Sequence, residues 1–157
     1  FLDYDTKKCA EYHCDNHVVK MILETAQLLC GVHHLTHQVT PQVPYKLSHK
    51  NHPCAIWTRD SLSNYLYLCD LGLELCKEYT YRYGKVHKVQ REGLLEMLFN
   101  WPMNIPMGEF TEPTPAMPDD VKNNNSLVAY RDYYVKYKQH LASWKRRGAP
   151  DWYEVAA

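Results

Sequence analysis

The sequence predicts an all-α protein that folds as a single compact domain over residues 1–157. Apolar side chains recur with the helical period of about 3.6 residues along most of the chain, and no sustained alternation of apolar and polar residues indicates a β-strand. A length of 157 residues is typical of one domain and allows a sizeable core to be buried. We therefore expect about five helices packed around a central one.

The first two helices begin at residues that favour helix N-termini. Residues 6–13 form the first helix, with Asp5 or Thr6 as its cap. The second helix covers residues 15–35 and begins at Asp15, and its apolar side chains follow the helical period. Because nearly all of its surface is apolar, we expect this second helix to be the central one.

Pro53 and Gly84 mark the ends of the next predicted helix, residues 53–83. Proline suits the first position of a helix, where its missing N–H costs nothing, and glycine suits the left-handed conformation that ends many helices. Gly72 in the middle indicates close packing or a bend. A shorter helix is predicted over residues 88–99.

The last third of the chain combines an irregular segment with one more helix. Residues 100–125 hold five of the nine prolines and no long periodic run, which predicts an ordered but irregular loop or lid. Ser126 is the predicted cap of a final helix over residues 126–144. Residues 145–157 form a C-terminal tail that contains Trp and Tyr.

Charge and cysteine usage exclude several classes of protein. Eighteen basic and eighteen acidic side chains cancel, so the whole molecule carries no polyanion-binding charge. No apolar run is long enough to cross a bilayer, so we expect no membrane partner. The six cysteines show no C-x-x-C spacing, and a chain with a core of its own does not need disulfides. We expect packed thiols in a reducing, cytoplasmic compartment, and a monomer.

One polar stripe runs along the otherwise apolar second helix. Its members His17, Lys20, Glu24 and Gln27 are offset by three, four and three residues, which places them on one helical face. A buried charge without a partner is costly, so the stripe must meet water, a partner or a ligand. A plain solvated face with a Lys–Glu pair is the alternative interpretation.

Histidine spacing raises the question of a metal site. The nine histidines include three groups: His13 with His17, His33 with His34 and His37, and His49 with His52. Zinc sites need three or four converging ligands, but the H-E-x-x-H and E-x-x-H motifs are missing and the cysteines lack zinc-finger spacing. We predict no metal, and a His/carboxylate metal-dependent enzyme on a helical scaffold remains an alternative.

A hydrogen-bonding segment, residues 48–52, precedes the helix that begins at Pro53. Its imidazoles, His49 and His52, are predicted to lie near the polar stripe. The far end of that helix carries Lys85, which would lie about 45 Å away if the helix were straight. We therefore rank His49 and His52 above Lys85 as site residues.

Basic and aromatic residues interleave in two further places. The first is residues 79–88, which include Arg82 and Lys85, and the second is residues 130–147. Cations bind phosphates while flat rings stack on bases, so local patches of this kind favour nucleic-acid binding. The alternative is that the tyrosines belong to the core and the lysines only keep the surface soluble.

Two segments resemble a family of DNA-repair enzymes. Residues 15–19 (DNHVV), followed by Glu24, resemble the D-Q-H-L-M…E segment of pyrimidine-dimer DNA glycosylases of the phage endonuclease V type. Residues 150–153 (PDWY) resemble the P-T-W-Y with which that family closes. The chain looks like a divergent member of this family, whose proteins are small, all-α and single-domain.

The resemblance implies a DNA glycosylase with abasic-site lyase activity on damaged pyrimidines, and no cofactor. An amine attacks the sugar of a flipped nucleotide, which implies Phe1 as the nucleophile, with Lys20 as the alternative amine. Glu24 is the implied catalytic carboxylate. The implied partner is damaged duplex DNA, and the implied setting is a virus-encoded protein that acts in the host cell.

The predicted substrate contacts combine the resemblance with the patterns above. They are Asn16, His17, Gln27, His49, His52, Arg82, Lys85, Trp152 and Tyr153. A non-catalytic nucleic-acid-binding module with the same surface is the main alternative function.

Overall fold

A computed structural model describes residues 1–36 and 42–153, and over these residues the chain is helical without β-strands. The predictions of an all-α fold and of one compact domain are confirmed. The α-helices are α1 Thr6–Tyr12, α2 Asp15–Thr36, α3 Pro53–Asp60, α4 Leu62–Tyr83, α5 Lys88–Arg91, α6 Leu94–Leu98 and α7 Ser126–Tyr137, with 3₁₀ turns at Asp119–Val121 and Gln139–Leu141.

The first two helices form where the sequence predicts them. The Asp5 carboxylate caps α1 by accepting from the Lys8 backbone N–H at 3.0 Å. Helix α2 packs against α4, α3 and α6, which confirms its central position. Its apolar face is fully buried, and each such aliphatic side chain contributes roughly 1.5–3 kcal/mol of burial free energy.

The predicted helix over residues 53–83 is two helices, because the chain is extended at Ser61 (φ −153°). The Ser61 hydroxyl accepts from the Asn64 backbone N–H at 3.1 Å and so caps α4. Helix α4 runs through Gly72 without a break. A Cβ there would lie 2.9 Å from Leu95, so this glycine provides the close packing that was the other prediction.

The irregular segment, residues 100–125, explains the break at Ser61. The Ser61 hydroxyl donates to the Glu109 carbonyl at 2.9 Å, and the Leu62 N–H at the start of α4 donates to the Pro106 carbonyl at 2.8 Å. Thr111 exchanges hydrogen bonds with the buried Asn64 side chain. Long-range partners therefore set this helix boundary, which periodicity alone does not reveal.

Three other predictions of helix boundaries are wrong. The predicted helix over residues 88–99 is divided by Gly93, whose φ of 69° is left-handed. The cap of α7 is Asn125, whose side chain accepts from two backbone N–H groups, while the Ser126 hydroxyl donates to Glu112. Helix α7 then ends at residue 137, well short of the predicted residue 144.

A buried guanidinium joins α1, α2 and α4. The Arg82 side chain is fully buried and donates to the carbonyls of Glu11 and His13 and to the carboxylates of Asp15 and Glu78, at 2.7–3.0 Å. A charge buried in this way is bound by several acceptors at once. The prediction that Arg82 contacts substrate is therefore wrong, because it fixes the start of α2 instead.

The cysteines are present as thiols, as the sequence predicts. All six cysteines are free thiols, and five of them are buried. Within residues 1–36 and 42–153, no helix combines the length and the apolarity needed to cross a membrane.

Candidate functional site

A cavity of about 270 Å³ lies between α2, α3 and the loop that leads into α3. Its walls are largely aliphatic, and its polar lining comes from Glu24, Gln27, Ser48, His49, Lys50, His52 and Arg59. Apolar walls with a few convergent polar groups are typical of small-molecule sites. Glu24 and Gln27 of the polar stripe thus share one cavity with His49 and His52, as predicted.

Glu24 lies at the edge of this cavity beside Lys20. The Lys20 Nζ is 3.6 Å from a Glu24 carboxylate oxygen, and the two side chains are 58% and 42% exposed. An exposed pair at this spacing contributes only tenths of a kcal/mol, roughly 0.3–0.5. The pair therefore holds neither group firmly, and both remain open to a ligand.

Local backbone geometry holds the two loop imidazoles in place. His52 caps α3, and its Nδ1 accepts from the Cys54 backbone N–H at 3.1 Å, so the proton of the neutral ring is on Nε2. His49 has a φ of 49°, and its carbonyl accepts from the His52 N–H at 2.9 Å. A left-handed non-glycine residue is strained, and such strain is concentrated at functional sites.

His17 lies on α2, where its ring is half-buried against α7. Its Nδ1 is 2.5 Å from the Tyr134 hydroxyl. Burial lowers the pKa of His17 to about 4, so its ring is neutral at pH 7. A neutral imidazole can act as a hydrogen-bond partner but does not attract phosphate by charge.

A second, open groove adjoins the cavity across the N-terminal half of α2. Asn16 and Lys20 line one side of it, and Tyr83 and the segment 140–143 line the other. Lys20 therefore stands between this groove and the Glu24 cavity. Lys85 follows the C-terminal cap of α4, is exposed, and lines neither of them.

The two predicted tail contacts pack on the protein itself. The Trp152 ring contacts the rings of Tyr12 and Tyr134, and Tyr153 packs against Trp144 with ring centroids 4.8 Å apart. The Trp152 Nε1 and the Tyr153 hydroxyl are buried without a hydrogen-bond partner within residues 1–36 and 42–153. The tail up to residue 153 is thus part of the folded body in this structure.

Phe1 packs against aromatic side chains of α3 and α7. Its ring lies edge-on to Trp57 and Tyr130, with ring centroids 4.9 and 5.6 Å away. Cys54, which lines the cavity, lies 3.9 Å from the Tyr130 hydroxyl. Burial and, to a smaller extent, Glu24 raise the pKa of Cys54, while the Tyr130 hydroxyl and the terminal amine oppose that rise. Phe1 itself does not line the cavity.

Acidic partners neutralise much of the second basic patch. Arg131 pairs with Asp3, Lys136 with Asp120, and Arg147 with Glu78 and Glu11. Lys138 and Lys145 instead lie over the rings of Tyr133 and Tyr83. Three of the six cations of this patch are therefore used in ion pairs, and Lys145 lies over Tyr83, which lines the second groove.

No metal centre is formed by the part of the chain that the structure describes. No three or more His, Cys, Asp or Glu side chains come together there in a group that could hold a metal ion. His37 lies outside the described residues. The metal-dependent alternative therefore has no donor cluster to rest on among these residues.

Sequence reasoning missed Arg59 and Lys50 as site residues. Arg59 lies one helical turn after Ala55 on the same face of α3, and both line the cavity. That spacing is visible in the sequence, but helical spacing alone does not show which face of α3 packs towards α2.

Comparison with known proteins finds no family model, no curated relative and no solved structure that matches this chain.

Proposed function

We propose that this chain is a DNA glycosylase with abasic-site lyase activity on damaged pyrimidines. The observation that carries the proposal is the adjacency of an amine and a carboxylate, Lys20 and Glu24, at the edge of a cavity with imidazole and guanidinium groups in its walls. An amine that forms an imine and a carboxylate that stabilises positive charge are the two groups such a reaction requires.

The reaction begins when the free amine attacks C1′ of the deoxyribose. A C–N bond forms, the bond from C1′ to the base breaks, and the base leaves with the electron pair. The nitrogen then loses a proton, the C1′–O4′ bond breaks as O4′ gains one, and the nitrogen lone pair completes the C=N bond of a protonated imine on the opened sugar. Removal of a proton from C2′ expels the 3′ phosphate by breaking the C3′–O bond. Water hydrolyses the imine and restores the amine.

Glu24 stabilises the positive charge that develops at C1′ as the base departs. In a partly water-excluded cavity a carboxylate acts on such a charge more strongly than it does in bulk solvent. His49, His52 and Gln27 hydrogen-bond the extruded nucleotide from the cavity wall.

Two amines are available to carry the imine. The Lys20 amine lies 3.6 Å from Glu24. The other is the amine that the resemblance to the glycosylase family implies, that of Phe1. The chemistry of imine formation is the same for either amine.

Borohydride trapping tests the proposal. Borohydride gives hydride to the imine carbon and leaves a stable secondary amine between protein and DNA. We expect a covalent adduct with a duplex that contains one abasic site, and a severe loss of adduct in Glu24→Gln. The control is Glu74→Gln, which removes the carboxylate of another surface pair, 3.1 Å from Lys77 on α4, and should trap normally. Absence of any adduct would contradict the proposal.

A non-catalytic nucleic-acid-binding function is the second candidate. The observation that favours it is the position of two cations over tyrosine rings: Lys145 over Tyr83, which lines the second groove, and Lys138 over Tyr133. Such a protein would bind intact and abasic duplexes equally, with strong salt dependence, and would form no adduct.

A further inference from the structure

Arg59 is a half-buried cation in the wall of the cavity. Its Nη1 donates to the Lys50 carbonyl at 2.5 Å, and this is the one hydrogen bond that its guanidinium forms within residues 1–36 and 42–153. Of the ion pairs formed by these same residues, none includes Arg59 or Lys50.

Most N–H groups of the Arg59 guanidinium have no hydrogen-bond acceptor among the described residues. Arginine has five N–H donors in a planar fork, and one of them is taken by the Lys50 carbonyl. Partial burial of a charge costs free energy that an opposite charge would recover. Glu24 is the one carboxylate among the described residues that line the cavity, and it already lies beside Lys20.

The fork is also held in a defined position. The Lys50 carbonyl belongs to the turn that contains the left-handed His49, and the His52 N–H closes that turn on the His49 carbonyl. A guanidinium that a main-chain carbonyl already positions loses less conformational entropy when it binds a planar pair of oxygens. Two cations, one of them pre-positioned, thus face the cavity from the side of α3.

We propose that Arg59, supported by Lys50, binds a phosphate of the nucleic-acid strand next to the nucleotide that occupies the cavity. The inference rests on the proposed function, because it takes the occupant to be a nucleotide whose sugar lies at Glu24. Arg59 then holds the adjacent phosphate by a charge-assisted, bidentate hydrogen bond. The phosphate is separated from the Glu24 carboxylate by the sugar.

The test couples a protein change to a DNA change. The probe is a duplex with a tetrahydrofuran abasic analogue, in which each flanking phosphate is replaced in turn by an uncharged methylphosphonate. We expect one of these replacements to weaken wild-type binding roughly tenfold or more, as for loss of a charge-assisted hydrogen bond. The same replacement should weaken DNA binding by Arg59→Gln little further, because this variant already lacks the guanidinium that binds the phosphate.

Control variants distinguish the loss of bidentate hydrogen bonding by Arg59 from a loss of positive charge and from unfolding. Arg91→Gln removes an exposed arginine on α5 and should lose as much as the wild type when the phosphate is neutralised. Arg59→Lys keeps the charge but not the fork, and should recover only part of the coupling. Circular dichroism and unfolding curves show whether each variant folds.

The outcomes distinguish this inference from the proposed function. Normal trapping with additive effects of Arg59→Gln and every methylphosphonate would overturn the phosphate subsite alone. Clear coupling without any borohydride adduct would support the subsite and overturn the lyase activity. A protein that does not bind the duplex at all would overturn both.

Discussion

The Nδ1 nitrogen of His17 lies 2.5 Å from the hydroxyl oxygen of Tyr134, which joins α2 to α7. Burial lowers the pKa of His17 to about 4, and the charges of His13, Lys138, Lys20 and the terminal amine act in the same direction. Burial raises the pKa of the Tyr134 phenol well above its ordinary value. Both side chains are therefore neutral at pH 7. Protonation of the His17 imidazole places a positive charge in a half-buried site.

The first prediction follows from the lowered pKa of His17. Between about pH 6.5 and 4 the unfolded chain binds a proton at His17 that the folded chain does not, so stability falls as the pH falls through that window. We expect the free energy of unfolding to fall less steeply in His17→Gln than in the wild type. Urea titrations at several pH values across the window measure the two slopes.

An exposed histidine provides the control for that experiment. His140 is exposed, and His140→Gln should keep the wild-type slope. Equal slopes in His17→Gln and the wild type would show that the ring is not buried as the structure has it.

The second prediction concerns the carboxylate at the edge of the cavity. Glu24→Gln keeps the shape and the hydrogen-bonding capacity of the side chain but removes its charge. We expect turnover on abasic duplex to fall by roughly 10²–10⁴, as for loss of an acid–base group. Because the partner Lys20 is exposed, the free energy of unfolding should change by less than about 1 kcal/mol. Single-turnover strand cleavage and urea unfolding check both parts, and an unchanged cleavage rate would remove Glu24 from the mechanism.

The third prediction concerns the guanidinium that joins α1, α2 and α4. Arg82→Met leaves Glu78 and two main-chain carbonyls without their buried donor. We expect a loss of about 3–5 kcal/mol in the free energy of unfolding, as for a broken buried ion pair. Arg91→Met, at an exposed position, should change it by less than about 0.5 kcal/mol. A small effect of Arg82→Met would mean that Arg147 alone suffices to neutralise Glu78.

The fourth prediction concerns the break between α3 and α4. Ser61→Ala removes both the cap of α4 and the hydrogen bond to the Glu109 carbonyl. The expected cost is about 1–2 kcal/mol in thermal or urea unfolding. Ser63→Ala, two residues later, serves as the comparison and should cost much less. Equal effects of the two substitutions would contradict the capping role.

The parts of the fold that local rules govern were predictable from the sequence. Pro53 and Gly84 mark helix ends because the first position of a helix and the left-handed conformation at its end depend on local backbone geometry. Helix α2 begins at Asp15 as predicted, but the Asp15 carboxylate accepts from Arg82, Ser143 and the Lys145 N–H and not from the first N–H groups of α2. The stripe on α2 follows from helical spacing. The proximity of His49 and His52 to Glu24 follows from their position just before a helix that packs on α2.

The parts that depend on long-range partners were not predictable. Ser61 breaks a periodic segment because carbonyls from residues 106–109 satisfy the start of α4. Arg82 lies in a basic, aromatic stretch of sequence, yet four acceptors from three helices bury it. Arg59 lines the cavity because α3 packs on α2 and the Lys50 carbonyl accepts from its guanidinium. Periodicity carries no information about such contacts.

Mass spectrometry of the borohydride-trapped adduct tests the central claim most directly. The wild-type protein is trapped on abasic duplex, digested with protease and nuclease, and searched for the peptide that carries the reduced sugar. We expect a single modified site, either the Lys20 side chain, which lies beside Glu24, or the amine of Phe1. Modification of a distant surface amine such as Lys77, or no modified peptide at all, would contradict it.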